Sequence, residues 1–144
     1  MDVPVNYVAV FAAAISFMVL GFLWYSPVLL GKPWMKLRGL TVADAKAAQT
    51  EMGMLYGLTF VVSLLTAYVL THVMAFAISY MGTDRVMTGL TSGFWIWLGF
   101  VMPTQVGNTI FGSDNKNRWK LLGIDTTYQA VGLMLMGFIL GILG

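Results

Sequence analysis

Four long apolar segments, separated by short polar loops, account for most of the 144 residues of the chain. They cover residues 7–30, 54–80, 89–111 and 121–143. An α-helix needs about 20 apolar residues to cross roughly 30 Å of hydrocarbon, and each segment is at least that long. The pattern therefore predicts an all-α integral membrane protein, with four transmembrane helices forming a single domain over residues 1–144.

The composition excludes a water-soluble protein. Hydrophobic residues make up 58% of the chain and charged residues only 10%, and a fold of this size could not bury so much apolar surface. The net charge of +2 and the pI near 9.0 arise from two basic loops. We therefore expect membrane lipids as partners and no nucleic acid.

The distribution of basic residues predicts the orientation. Seven of the eight Lys and Arg residues lie in two alternate loops: Lys32, Lys36, Arg38, Lys46, Lys116, Arg118 and Lys120. Positively charged loops stay in the cytoplasm, so both termini are expected outside the plasma (inner) membrane. Residues 1–6 carry no basic side chain and the following apolar run is too long for a signal peptide, so the first span should remain in the mature protein.

The first loop contains its own helix signals. Thr41 and Asp44 have the spacing of a capping box, which predicts a short surface helix from about Val42 that leads with little interruption into the second span. Upstream, the string GKP at residues 31–33 is expected to end the first span. Trp34 and Trp119 are expected to lie at headgroup depth, where indoles are enriched.

Several of these strings resemble a known family. The strings GFLWYSP at residues 21–27 and GKPWMK at 31–36 resemble the opening of the bacterial DUF1761 family of small multi-span proteins. Gly99-Phe100, Pro103-Thr104, Phe111 and Tyr128 look like that family's second half. An Asn is usual in the family where this chain has Asp125, and a Phe is common at Leu30. The family has no assigned function, so the resemblance implies the membrane fold and no activity.

The two halves of the chain also echo each other weakly. The Gly-Phe, Pro and Trp positions at residues 21–34 partly recur at residues 99–119, which would fit a parallel internal duplication. The alternative is chance, because these residue types are common near the ends of membrane spans.

Polar side chains gather at one depth in the predicted bilayer. At 1.5 Å per residue, six of them lie roughly 5–13 Å inside the cytoplasmic boundary: Tyr25, Gln105, Asn108, Asp125, Tyr128 and Gln129. We expect these side chains to line one ligand site that opens to the cytoplasm, with Asp125 as its ionisable group. The alternative is that they anchor helices at the interface or bond neighbouring helices.

Small residues predict close helix contacts. Three segments carry the Gly-x-x-x-Gly spacing that lets helix backbones approach each other: Gly53 and Gly57, Gly89 and Gly93, and Gly137 and Gly141. Three such pairs exceed what one four-helix monomer must bury, which favours a homo-oligomer.

Nothing in the sequence indicates catalysis. The chain has no Cys and one His, His72, which is too few ligands for a metal site. His72 and Asp125 belong to opposite leaflets and cannot form an acid–base pair. No nucleotide or cofactor motif is present, so we expect neither catalytic residues, nor a metal, nor a cofactor. His72 is expected to bond a neighbouring helix or the outer headgroups.

Two functional interpretations remain. The first is a homo-oligomeric protein that binds or passes a small solute or ion through the cytoplasm-facing polar site. Homo-oligomerisation is part of this interpretation because four helices make a poor transporter alone. The alternative is a non-conducting accessory or structural module that packs against protein partners or lipids.

Overall fold

The computed structural model describes residues 3–144, and these fold into seven α-helices and one π-helical turn. The helices are α1 (Tyr7–Trp24), α2 (Gly31–Arg38), α3 (Val42–Ala47), α4 (Gln49–Met81), α5 (Arg85–Ile96), α6 (Met102–Gly112) and α7 (Arg118–Leu143), and the π-helical turn is Trp97–Val101. Four helices are long and apolar enough to cross a membrane: α1, α4, the continuous run Arg85–Gly112, and α7. The predicted all-α fold with four such helices is confirmed.

The predicted end of the first span was wrong. Helix α1 ends at Trp24, not at residue 30, because Pro27 disfavours helical backbone at Ser26. The chain turns back, and the Ser26 carbonyl accepts bonds from the N–H groups of Leu29 and Gly31, at 3.2 and 2.9 Å. The GKP string then begins α2 instead of ending α1. Pro33 fits there because the first turn of a helix leaves its N–H groups unpaired.

The capping box in the first loop is present as predicted. The Asp44 N–H donates to Thr41 Oγ1 at 3.2 Å, and the Thr41 N–H donates to Asp44 Oδ2 at 2.7 Å. The bond from the Thr41 hydroxyl also lowers the pKa of the Asp44 carboxyl. Helix α3 therefore begins at Val42, and only Ala48 separates it from the long helix α4.

Both basic loops lie at one end of the bundle, which we call the basic end (residues 25–48 and 113–120). Asn115 and Asn117, in the turn before α7, donate from Nδ2 to the carbonyl of Leu37 in α2, at 3.2 and 3.4 Å. At the opposite end, Asn6 caps α1 and donates to the Leu143 carbonyl at 2.8 Å. The bond from Asn6 to Leu143 connects the start of α1 to the end of α7.

Helix α7 is the central element of the bundle. It packs against α1, α4 and the third span, and more of it is buried than of any other span in residues 3–144. Its buried side chains meet small and apolar residues of α1 and α4. The resulting core contains Ala9, Ala13, Phe17, Ala67, Leu70, Met74, Leu133, Met136 and Leu140.

Glycines bring the backbones of α5 and α7 together. A Cβ atom on Gly89 would overlap the carbonyl of Gly137, and one on Gly93 would overlap the carbonyl of Leu133. A Cβ on Gly141 would lie 2.7 Å from the Cα of Val86. Because any side chain would push the helices apart, these glycines determine the spacing between α5 and α7.

The pair on α4 behaves differently. Apart from the adjoining turns of α4 itself, nothing in the described chain lies within 4 Å of a Cβ built on Gly53 or Gly57, and both residues are exposed. They therefore make no close helix contact within the described chain, and their packing between chains stays a prediction. The glycine pairs of α5 and α7 pack against the facing helix inside the chain. Only Gly53 and Gly57 are therefore left to support an oligomer.

A π-helical turn interrupts the third span just before Pro103. Here the Met102 N–H donates to the Trp97 carbonyl, five residues back. Proline has no N–H to continue the helical ladder, so a freed carbonyl and a kink are expected at this point. The structure accommodates Pro103 by locally widening the helix, which rotates the residues on either side relative to each other. Span one, by contrast, ends before Pro27, so the two echoing strings differ in local structure and the internal duplication stays a hypothesis.

The contact between Gly89 and Gly137 gives the first testable prediction. Replacing Gly137 by Ala should lower the free energy of unfolding by about 1–3 kcal/mol or more, because the added methyl meets rigid backbone. Gly123→Ala is the matched control, since it adds the same methyl to the same helix with open space beside it. It should be neutral or slightly stabilising. Unfolding in a mild detergent measures both, and equal effects would contradict the close contact.

Candidate functional site

Asp125, in the second turn of α7, is held by two donors from the basic end. Its Oδ1 accepts the Tyr25 hydroxyl at 2.6 Å and the Trp34 indole N–H at 3.1 Å. The Tyr25 and Trp34 rings also pack edge to face, with centroids 5.4 Å apart. Tyr25 was expected among the partners of Asp125. Trp34 was expected only at headgroup depth, whereas its indole is half-buried and bonded to this carboxylate.

Two further indoles bond the residues on either side of Asp125. Trp24 donates to the carbonyl of Ile124 at 3.3 Å, and Trp97 donates to the carbonyl of Thr126 at 2.9 Å. A helix carbonyl can accept a second bond because its oxygen has two lone pairs. Three tryptophans from three segments thus bond three consecutive residues of α7. We call Trp24, Trp34 and Trp97 the tryptophan cluster; it fixes the position of α7 along its own axis.

A cavity of about 230 Å³ lies beside Asp125 at the basic end. Gln105 and Asn108 of α6 line it together with Asp125, so the structure brings three of the six predicted site residues together. The polar lining also includes Thr109, Ser113 and two arginines, Arg38 from α2 and Arg118 from α7. Tyr25 bonds Asp125 from outside this cavity.

Tyr128 and Gln129 do not line this cavity, and their predicted place in it was wrong. Tyr128 is buried against α1, where its hydroxyl donates to the Phe17 carbonyl at 3.3 Å. Gln129 lines a separate groove of about 380 Å³ beside α4. The physical reason is the helix geometry. A step of three or four residues turns a side chain by about 40–60°, and α7 has a different neighbour at each of these directions.

The Gln105 side chain has an unusual environment. Its Oε1 is buried and has no hydrogen-bond partner within the described residues. Leaving a buried amide oxygen without a donor costs about 1–3 kcal/mol, so such groups are rare without a reason. Gln105 therefore places a buried acceptor, unpaired within the described residues, in the wall of the cavity.

The two arginines have defined positions. The Arg38 guanidinium lies 4.6 Å from the centre of the Trp34 ring, and Arg118 donates from Nη1 to the Ser113 carbonyl at 3.0 Å. The lining contains two guanidinium groups and only one carboxylate, that of Asp125, so the cavity has an excess of positive charge. In the sequence, both arginines indicated the orientation only. The i, i+4 spacing of Trp34 and Arg38 was the signal that could have placed one of them in a site.

Several other polar side chains in the spans bond within their own helix. Thr59, Ser63 and Thr66 each donate to the carbonyl four residues earlier in α4. His72 was expected to bond another helix or the headgroups, but its Nδ1 lies 2.9 Å from the carbonyl of Tyr68 in its own helix. Residues 3–144 contain no group of three or more His, Cys, Asp or Glu side chains that could hold a metal ion.

Comparison with known proteins identifies the family. A model of DUF1761, described as a protein of unknown function, matches residues 8–141. The chain belongs to the DUF1761 family. This confirms the resemblance seen in the GFLWYSP and GKPWMK strings. No curated protein and no solved structure matches the chain. Since DUF1761 carries no assigned activity, any function has to be argued from the cavity and its residues.

The bonds to Asp125 give the second prediction. Tyr25→Phe keeps the ring and removes one charge-assisted bond, so it should lower the free energy of unfolding by about 1.5–3 kcal/mol. Tyr80→Phe is the control, because Tyr80 is 93% exposed and its hydroxyl makes no bond in the described residues. Unfolding in mild detergent compares the two, and a Tyr25→Phe variant as stable as Tyr80→Phe would show that the bond to Asp125 does not hold the fold.

Proposed function

We propose that the protein is an integral protein of the plasma (inner) membrane that binds a small polar solute or ion in the cavity at the basic end. The unpaired Oε1 of Gln105 carries this proposal, because it leaves a buried acceptor without a donor. Gln105 lines the same cavity as Asp125. Tyr25 and Trp34 hold the Asp125 carboxylate in place. A fixed acid beside an unsatisfied acceptor is the preorganised arrangement expected of a binding site.

In this proposal the basic end faces the cytoplasm and both termini lie outside. Seven of the eight basic residues support it, because they lie in the two loops that meet at the basic end. The cavity that Asp125, Gln105 and Asn108 line would then open toward the cytoplasm. The proposal involves no catalytic residue, metal or cofactor.

Binding has more support than permeation through a single chain. Beyond the cavity, the centre of the bundle is filled by apolar side chains such as Phe17, Leu133, Met136 and Leu140, which offer an ion or polar solute no partners. Passage of a solute would therefore need a path between chains. Homo-oligomerisation belongs to this proposal for that reason, and the free face of Gly53 and Gly57 is where it would occur.

A second candidate function has its own observation. Nearly all of residues 49–62, the first half of α4, is exposed, including the Gly53-x-x-x-Gly57 face. A long helix with an unoccupied small-residue face is also what a non-conducting module would use to pack against a protein partner or lipids. The two candidates differ in whether the cavity is accessible to solutes.

Cysteine labelling tests the binding proposal, because the natural chain contains no Cys. Asn108→Cys should react with a membrane-impermeant thiol reagent added from the cytoplasmic side of oriented vesicles, since a solute-binding cavity must admit water. Val61→Cys is the control, because Val61 is exposed on α4 at a depth where the surroundings are apolar. It should react much more slowly. Equal, slow labelling of the two variants would exclude an open cavity, and labelling of Asn108→Cys only from the outer side would reverse the orientation.

Disulfide cross-linking tests the oligomer. Gly57→Cys should form a dimer when membranes are treated with a mild oxidant, because two copies of α4 would bring the same position together. Gly107→Cys on α6 is the matched control, since it too has open space beside it. The α4 interface would be excluded if Gly57→Cys stayed monomeric, or if both variants cross-linked equally through random collision.

A further inference from the structure

We propose that the cavity takes a small anionic group that carries its own N–H or O–H donors. This chemistry is shared by two sources, the head group of an amino- or hydroxyl-bearing phospholipid and a small free zwitterion. The proposal rests on the proposed function, since it names the ligand class of the same cavity. It follows from three features of the lining: the arginines, the acceptors and the size.

The arginines supply the anion-binding side. The Arg38 guanidinium lies over the Trp34 ring, and its N–H groups make no hydrogen bond within the described residues, so they are free to bind. Arg118 uses one N–H for the Ser113 carbonyl out of the five that a guanidinium offers. The edge of a guanidinium matches the paired oxygens of a carboxylate or phosphate. Two of them at one cavity favour an anion over a cation.

The acceptors require donors on the same ligand. Gln105 Oε1 has no partner, and the two bonds to Asp125 both go to Oδ1. An ionised carboxylate has about four lone-pair positions, so it retains room for another donor. A bare anion would leave Gln105 unpaired and would be repelled by Asp125. A ligand with an ammonium or hydroxyl group next to its anionic group satisfies both residues.

The size and position of the cavity limit the ligand further. Its volume of about 230 Å³ is below the ~300–1,000 Å³ of typical pockets for drug-sized molecules, so a nucleotide is too large. The cavity lies beside the basic loops, which are expected to meet the phospholipid head groups. Phosphoethanolamine, which joins a phosphate to a primary ammonium group, has the required chemistry both as a free solute and as a lipid head group.

The charge preference of the cavity is tested with Asn108→Cys and two methanethiosulfonate reagents of similar size, one anionic and one cationic. Each rate is divided by the rate of the same reagent with a small free thiol. The anionic reagent should be favoured by about tenfold, because two cations outweigh one carboxylate at close range. Adding Arg38→Gln or Arg118→Gln should reduce this preference by about threefold or more. Lys36→Gln and Lys116→Gln remove the same charge from residues that do not line the cavity and should leave the preference nearly unchanged.

Ligand protection tests the donors and distinguishes the two sources. In detergent, phosphoethanolamine should slow the labelling of Asn108→Cys at lower concentration than sulfate, an anion without N–H or O–H donors, or ethanolamine, a donor without an anionic group. The advantage over sulfate should disappear when Gln105→Leu is added. Nanodiscs of phosphatidylethanolamine should protect more than those of phosphatidylcholine, which has no N–H donor, if the source is the lipid. Protection by the free solute with no difference between the lipids would identify a soluble ligand.

The possible failures are distinguishable. If neither reagent labels Asn108→Cys, the cavity is closed and the proposed function itself fails. If both label it but the cationic reagent is favoured, the binding function stands and the anionic class is wrong. Failure of both phosphoethanolamine and phosphatidylethanolamine to protect would also overturn the class. The preference of Asn108→Cys alone decides the charge, even if an arginine variant does not fold.

Discussion

A carboxylate inside a bundle of apolar helices must be hydrogen-bonded, and the basic end of this protein is arranged around that requirement. An unpaired acid at the depth of Asp125 would cost several kcal/mol. Tyr25 and Trp34 remove that cost only if the chain turns sharply after Trp24 and α2 lies across the end of the bundle. The early end of α1, the turn at Pro27 and the start of α2 at Gly31 together bring Tyr25 and Trp34 to Asp125.

Helix α7 is held by different forces along its length. At the basic end, the tryptophan cluster bonds residues 124–126, and these directional bonds fix the helix along its axis. Farther along, Gly137 and Gly141 pack against α5 with no side chains between the backbones, so close dispersion contacts hold the two helices together. Since lipid provides little hydrophobic driving force between helices, both kinds of contact are needed to specify one arrangement.

The cavity lies between α2, α6 and α7 at the basic end. The π-helical turn before Pro103 rotates α6 relative to α5, and α6 contributes Gln105 and Asn108 to the wall opposite Asp125. Arg38 and Arg118 come from the two loops that hold seven of the eight basic residues, so these loops also give the cavity its charge.

The amino-acid sequence alone determined the four long apolar helices, the capping box at Thr41 and the resemblance to DUF1761. Each of these depends on local composition or on spacing along one helix, which can be read without knowing the neighbours. Only the tertiary structure decided that Gln105, Asn108 and Asp125 share a cavity while Tyr128 and Gln129 face α1 and α4. Only the tertiary structure showed that Trp34 bonds Asp125. It also showed that Gly53 and Gly57 have no close contact with another helix of the described chain. The physical reason is that a side chain's partner depends on which helix lies in its direction. That direction changes by about 100° with each residue along an α-helix.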